Sequence, residues 1–248
     1  MLSLGINTAT NYLGIGLAED GQIISDLNIT VDQSHNQRLL PGIKYSLDQQ
    51  GIKLEEIDII GAVVGPGSFT GLRIALATIK AFGLINKFEF VPISSLDTLV
   101  PTIERQGYYL PMLDARRKRV YTALYQGGFS LPNAGKLSYD SAVKVSRLPD
   151  YLAEYITDES LDLIFSGPGA IYYKDKLEEV FADSKFNYSI TEGYENTGQG
   201  GRIARLAYYY YNEGLVTNIR EVTPEYLKKP QAEINWQRQQ KEENQDGR

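Results

Sequence analysis

Cysteine is absent from the 248 residues, and histidine occurs once, at His35. The first absence excludes disulfides and a thiol nucleophile. The second excludes HExxH and HxxxH metal pairs, a two-histidine iron site, and zinc sites built from cysteine and histidine. A Ser-His-Asp triad would have to use His35, and a lone histidine is more often a cap or a surface residue. No GxxxxGK[ST] phosphate loop is present. No apolar run reaches the ~20 residues of a membrane helix, and the start Met1-Leu2-Ser3-Leu4-Gly5-Ile6 lacks the basic region of a signal peptide. A soluble cytoplasmic protein is expected. Positive charge is also scarce: 25 Lys and Arg against 31 Asp and Glu give −6, which argues against a broad nucleic-acid face.

What is present centres on Gly65-Pro66-Gly67-Ser68-Phe69-Thr70-Gly71. An apolar run at 57–64 reads as a buried strand before it, and a helix is expected over 72–85. Leu72, Ala75, Leu76, Ile79 and Phe82 form one stripe at helical spacing, assigned to the domain's own sheet. Arg73, Ala77, Lys80, Ala81 and Leu84 form a second, flatter stripe. A helix this apolar on both sides is buried by something, either a partner or the rest of its own chain.

Residues 2–31 read as a three-stranded meander turning at Asp20-Gly21. A helix follows from Ser34, with Gln37 as capping-box partner, Leu39, Leu40, Ile43 and Leu47 as its apolar stripe, and a kink at Pro41. Then come the strand, the glycine turn, its helix, a strand near 88–93 and a short helix from Ser94-Ser95. Three antiparallel strands followed by alternating helices and parallel strands is the ribonuclease-H-like half of the actin, Hsp70 and sugar-kinase architecture. Such folds have two related halves, and a weak echo exists. Residues 110–116 and 119–125 resemble the opening hairpin, with Asp114 where Asn7 sits, and Ser166-Gly167-Pro168-Gly169 echoes the central turn ahead of a helix from 170 to 181. We therefore expect an α/β, two-domain fold: a first half at 1–104, a smaller, degenerate half at 105–230, and a polar tail at 231–248 that reads as disordered. The second half should hold a last helix from 201 to 213, whose Tyr208 to Tyr211 run is expected in core or at an interface rim.

Chemistry is thin. The first-strand turn of actin-like enzymes carries a carboxylate for hydrated Mg²⁺; here it is Asn7, an amide without charge. Thr8 and Thr10 remain as phosphate hydrogen-bonders, and Gly65 and Gly67 as a close-approach turn. Asp114 could serve from the other half or simply form a turn. Glu55, Glu56 and Asp58 could do acid–base work, but read as a solvated loop. Arg116-Arg117-Lys118-Arg119 is the basic run, in a hairpin turn that could touch phosphate or merely face solvent.

Ile6-Asn7-Thr8-Ala9-Thr10, Ser34 to Pro41, Gly65 to Ile74, Ser94-Ser95-Leu96, Leu113 to Arg116 and Pro224 to Lys228 resemble the TsaB family, formerly YeaZ. The likeness covers nearly the whole chain. It implies a scaffold or activating subunit, not an enzyme by itself, in the complex that forms threonylcarbamoyladenosine on tRNA. The implied partners are a TsaD-like catalytic subunit, a TsaE-like P-loop ATPase, tRNA reached through the complex, and a second copy of the chain when alone; no membrane is involved. No catalytic residue, metal ligand or required cofactor is implied, although a nucleotide at the subunit junction stays open. Cofactor candidates are limited to Asn7, Thr8, Thr10, Gly65 and Gly67. The resemblance puts the partner interface on the first two helices, at Leu39, Leu40, Ile43 and Leu47 and at Arg73, Ala77, Lys80, Ala81 and Leu84. The family usually has Asp where this chain has Asn7. Competing readings are an independent actin-like ATPase, kinase or glycoprotease-like peptidase, and a direct tRNA-binding module using Arg116 to Arg119 and the Tyr208 to Tyr211 run.

Overall fold

The computed structural model describes residues 1–31, 35–100, 106–128, 135–156, 158, 160–193 and 197–227. The expected Ser34 cap and the polar tail lie outside them. The opening meander forms β1 (Leu2–Asn7), β2 (Tyr12–Glu19) and β3 (Gln22–Thr30). Helix α1 (His35–Gln50) runs on through Pro41, and α2 (Phe69–Phe82) lies between the parallel strands β4 (Ile59–Gly65) and β5 (Glu89–Ser94). These strands make one sheet in the order β3-β2-β1-β4-β5, antiparallel across the meander and parallel thereafter. This is the ribonuclease-H-like order expected from the sequence.

The second half repeats the scheme with shorter pieces. Strands β6 (Tyr108–Asp114), β7 (Arg119–Thr122), β8 (Tyr125–Gln126), β9 (Ser141–Lys144), β10 (Leu163–Ser166) and β11 (Tyr188–Ile190) form a sheet ordered β11-β10-β6-β7-β9, with β8 beside β6. A short α3 (Leu148–Ala153) packs by β9. The single helix expected at 170–181 is instead two, α4 (Pro168–Tyr172) and α5 (Lys174–Val180). They part at Tyr173, whose backbone leaves the α region at φ −104°, ψ 20°.

Side-chain alternation decides what each face of the first sheet carries. On β1 and β4, Leu4, Ile6, Ile60, Ala62 and Val64 join Leu39, Ile43 and Leu47 of α1 and Ala75, Leu76 and Ile79 of α2 in one core. The alternate residues Ser3, Gly5, Ile59, Gly61 and Val63 face the other way. There lies the last helix, α6 (Gly200–Asn212), which touches all five strands of the first sheet. This corrects the expectation that 201–213 belongs with the second half.

The reason is a row of glycines. Gly16 on β2 pairs with Gly5 on β1, which pairs with Gly61 on β4, so three adjacent strands present no side chain at one level. The α6 backbone lies directly on that strip. A Cβ at Gly16 would stand 2.1 Å from the Gly201 nitrogen, one at Gly5 2.2 Å from the Ala204 nitrogen, and one at Gly61 2.4 Å from the Ala207 Cβ. Ser3 Oγ donates to the Ala204 carbonyl at 2.8 Å, which holds the helix in register. Along the same helix Tyr210 is buried, while Tyr208, Tyr209 and Tyr211 are partly buried against the core beneath α6.

Beyond α6 the chain returns along the first half as an extended strap. Thr217 N–H donates to the Phe90 carbonyl at 2.9 Å and Glu225 N–H to the Val64 carbonyl at 2.8 Å.

A Gly16→Ala chain should lose about 3 kcal/mol or more, because the clash is with helix backbone, which cannot rotate away. Urea unfolding checks this; an unchanged midpoint would mean that α6 is not seated on the glycine row.

Candidate functional site

Two places collect the residues singled out by sequence: a cleft between the halves and the outer side of α2.

The cleft has a volume of ≈ 910 Å³. Its first wall is the β1–β2 turn and the entry to α2, with Thr10, Gly67, Ser68 and His35; its second is Asp114, Arg116, Tyr121, Gly169 and Tyr172. The two related turns thus face each other across the gap. Ser68 caps α2, its Oγ accepting from Gly71 N–H at 3.2 Å. His35 is buried; its Nε2 lies 2.8 Å from the Thr10 carbonyl, fastening the start of α1 to the β1–β2 turn. Burial lowers the His35 pKa below its ordinary value against the opposing pull of that carbonyl.

Of the five cofactor candidates, Thr10 and Gly67 line this cleft. The other three serve the fold. Asn7 is 2% exposed; its Nδ2 donates to the Gly198 carbonyl at 2.8 Å and its Oδ1 accepts from Ala9 N–H at 2.9 Å. Thr8 is fully buried and its Oγ1 donates to the Gly71 carbonyl at 2.8 Å. Gly65, at φ +146°, gives room to the strap: a Cβ there would sit 2.3 Å from the Glu225 carbonyl oxygen. Asp114 is equally engaged. Its Oδ1 accepts from Arg116 N–H at 2.8 Å and from the Tyr173 hydroxyl at 2.9 Å, and its Oδ2 lies 3.5 Å from the Arg116 guanidinium. The acidic trio is also structural in part: Asp58 accepts from Leu2 N–H, and Glu56 from Lys53 N–H. Among the described residues no cluster of three or more His, Cys, Asp or Glu could hold a metal ion.

The outer side of α2 divides the expected interface. Ala77 and Ala81 are exposed, Leu84 is 79% exposed just past the helix, and Ile85 is 75% exposed. On α1, Leu40 is 52% exposed. Leu39, Ile43 and Leu47, expected to face a partner, are instead in the chain's own core, because they occupy the α1 stripe turned to the sheet. Arg73 and Lys80 are not spare cations either. Arg73 stacks 3.9 Å over Phe69 and donates from Nε to the Tyr226 hydroxyl at 3.0 Å, while Phe69 and Tyr226 stack at 4.6 Å. Lys80 Nζ donates to the Val222 carbonyl at 2.8 Å. Both pin the strap along α2. The signal available in sequence was Pro224-Glu225-Tyr226, which carries no local periodicity.

One cluster was missed altogether. Asp97, after β5, accepts at Oδ1 from the Tyr125 hydroxyl at 2.7 Å and from Lys136 at 3.2 Å, and at Oδ2 from the Tyr210 hydroxyl at 3.1 Å. Lys136 also meets Asp140 at 2.6 Å, and Ser94 donates to Asp140 at 2.6 Å. The first sheet, the second half and α6 thus meet around one carboxylate. Burial pulls the Lys136 ammonium down, but Asp97 and Asp140 outweigh it and its pKa is raised.

A family model described as TsaD, tRNA N6-adenosine threonylcarbamoyltransferase, matches residues 29–236. A Bacillus subtilis (strain 168) protein named tRNA threonylcarbamoyladenosine biosynthesis protein TsaB is 27% identical over 244 residues, 97% of this chain and 100% of that one. The chain belongs to this family, in its TsaB (YeaZ) branch. The Escherichia coli (strain K12) TsaB is 32% identical over 129 residues, 51% of this chain and 55% of that protein. The fold matches that of YeaZ from Pseudomonas aeruginosa with a TM-score of 0.72 at 21% identity, covering 91% of this chain and 98% of that one.

In this TsaB-family chain the Asp97 cluster should behave as a clasp between halves. Lys136→Met strands two carboxylates and should cost about 3 kcal/mol, read as a lower urea midpoint. Tyrosine titration offers a second check. Burial drives the Tyr125 phenol well above its ordinary pKa, with Asp97 adding to it, and burial pushes Tyr151 up to about 12. Raised folded-state values mean that this stability is fully present below pH ~10 and is lost as pH climbs through the folded pKa. Phenolate absorbance should therefore rise for exposed tyrosines near pH ~10, with a later, cooperative step accompanying unfolding.

Proposed function

We propose that this chain is a non-catalytic subunit in the formation of threonylcarbamoyladenosine on tRNA, and that it docks a TsaD-like catalytic subunit through the outer side of α2. The observation that carries the docking is the row of small and apolar groups left uncovered there: Ala77 and Ala81 on the helix, with Leu84 and Ile85 at its end. Small side chains let a second helix approach closely, and an apolar row in water gains by being covered. The strap held by Arg73 and Lys80 borders this row: Ile219 and Arg220 form with Ala77, Ala81, Gly83 and Leu84 a shallow groove of ≈ 440 Å³. That edge gives a docking helix a wall.

The non-catalytic part rests on the commitments of the polar groups. Asn7 and Asp114, at the two related turns, both spend their oxygens on internal hydrogen bonds. The names carried by the family model and by the Bacillus subtilis relative support the tRNA pathway. Alone, the chain pairs with a second copy through the same side of α2. A TsaE-like P-loop ATPase joins the assembled pair, and this subunit requires no cofactor of its own.

Ala77→Glu and Ala81→Glu test the reading, since an unpaired carboxylate is costly to bury. Each variant should keep the parent's urea midpoint and fail to associate with the TsaD-like subunit in light scattering. Normal association by both variants, or tRNA modification that proceeds equally well without this chain, would overturn it.

A further inference from the structure

The hairpin between β6 and β7 carries Arg116, Arg117, Lys118 and Arg119 in a chain of net charge −6. Its backbone is unusual. Arg116, Arg117 and Lys118 are all left-handed, at φ 63°, 56° and 57°. Such a residue costs roughly 1 kcal/mol or more when it is neither Gly nor Asn. Asparagine or glycine would make this turn with less strain, and like charges in sequence add repulsion. The turn therefore keeps cations where both conformation and charge disfavour them. Arg116, Arg117 and Lys118 are exposed, and of the three Arg116 is partly neutralised by Asp114 at 3.5 Å.

An aromatic side chain stands beside this tip. Tyr173 is held to the hairpin by its hydroxyl, which donates to Asp114 at 2.9 Å. Its neighbour Tyr172 packs edge-on against it at 4.8 Å and is 72% exposed. Arg116 and Tyr172 both line the cleft, so one cation of the hairpin and an exposed ring share a lip of it, with Arg117 and Lys118 next to Arg116 in the chain. Cations for phosphates next to an exposed ring for a base is the arrangement that holds unpaired nucleotides.

We infer that the Arg116–Arg119 hairpin and Tyr172 form a contact surface for a single-stranded loop of RNA, with Arg117 and Lys118 on phosphates and the Tyr172 ring against a base. This rests on the proposed place of the chain in a tRNA-modifying complex, where a partner supplies the remaining affinity that an acidic chain lacks.

The test titrates an unmodified tRNA that reads an ANN codon into the complex with the TsaD-like subunit, and into this chain alone, over a range of salt. Arg117→Asn/Lys118→Asn removes two charges and suits the left-handed backbone; Tyr172→Ala removes the ring. Two phosphate contacts to a single strand are worth about 1.4 in the slope of log affinity against log salt, or roughly 25-fold at about 0.1 M salt. The double variant should show that loss and shallower slope, and Tyr172→Ala a roughly fivefold or greater loss with the slope unchanged. Arg147→Asn, a charge removed elsewhere, should change neither. Light scattering on the same samples reports assembly separately, so a failed docking face is seen as a missing complex. Curves for the double variant that overlay the parent's in both formats, or a parent that binds no tRNA in either, overturn this inference.

Discussion

The close approach of α6 to the first sheet is the constraint on which the rest depends. Three glycines in one cross-strand row, Gly16, Gly5 and Gly61, leave no side chain between helix and sheet. The helix can then come within contact of strand backbone, where Ser3 satisfies the Ala204 carbonyl. Glycine costs backbone entropy in a strand, and that cost is offset here by burial of Ile59, Val63, Ile203, Leu206 and Ala207 in one core. Without α6 this face of the sheet would stand open. With it, α1 and α2 close one side and α6 the other, and the central strands β1 and β4 are buried on both faces, while the edge strand β3 stays partly exposed.

The same placement joins the two halves. The chain leaves the second sheet, crosses back as α6, and brings Tyr210 to the Asp97 carboxylate. Tyr125 and Lys136 reach that carboxylate from the second half. Past α6 the strap runs beside α2, where Arg73 and Lys80 hold it. Two cations of α2 are thus engaged within the chain. Towards the C-terminal end of α2 the exposed residues are small and apolar, Ala77 and Ala81, followed by Leu84 just past the helix.

Much of this was legible in the residues. The meander, β4, the glycine turn and α2 follow from local signals: an apolar β-rich run, Asp20-Gly21, and an apolar period of 3.6 after the glycine turn; the Ser68 cap, which starts the helix at Phe69 and not at the expected Leu72, is a finding of the structure. The echo between Asn7 and Asp114 was legible too, because both begin a turn after a buried strand. What it could not reveal was occupancy. Asn7 and Thr8 look like ligand groups in sequence, yet Gly198 and Gly71 take their hydrogen bonds. The α1 stripe misled in another way. Leu39, Leu40, Ile43 and Leu47 are one apolar set by spacing, but the sheet claims three of them and leaves Leu40 outside.

Composition and short-range pattern alone determined most element types along the first half and the absence of cysteine or paired-histidine chemistry, since each depends only on neighbours a few residues away or on counting. Only the tertiary structure decided where α6 lies, what Arg73, Lys80 and Asn7 are bonded to, and that Asp97, Tyr125, Lys136 and Tyr210 meet. Those outcomes rest on contacts between residues up to 201 positions apart, and a hydrogen bond or a close backbone approach across that distance leaves no periodic trace in the chain.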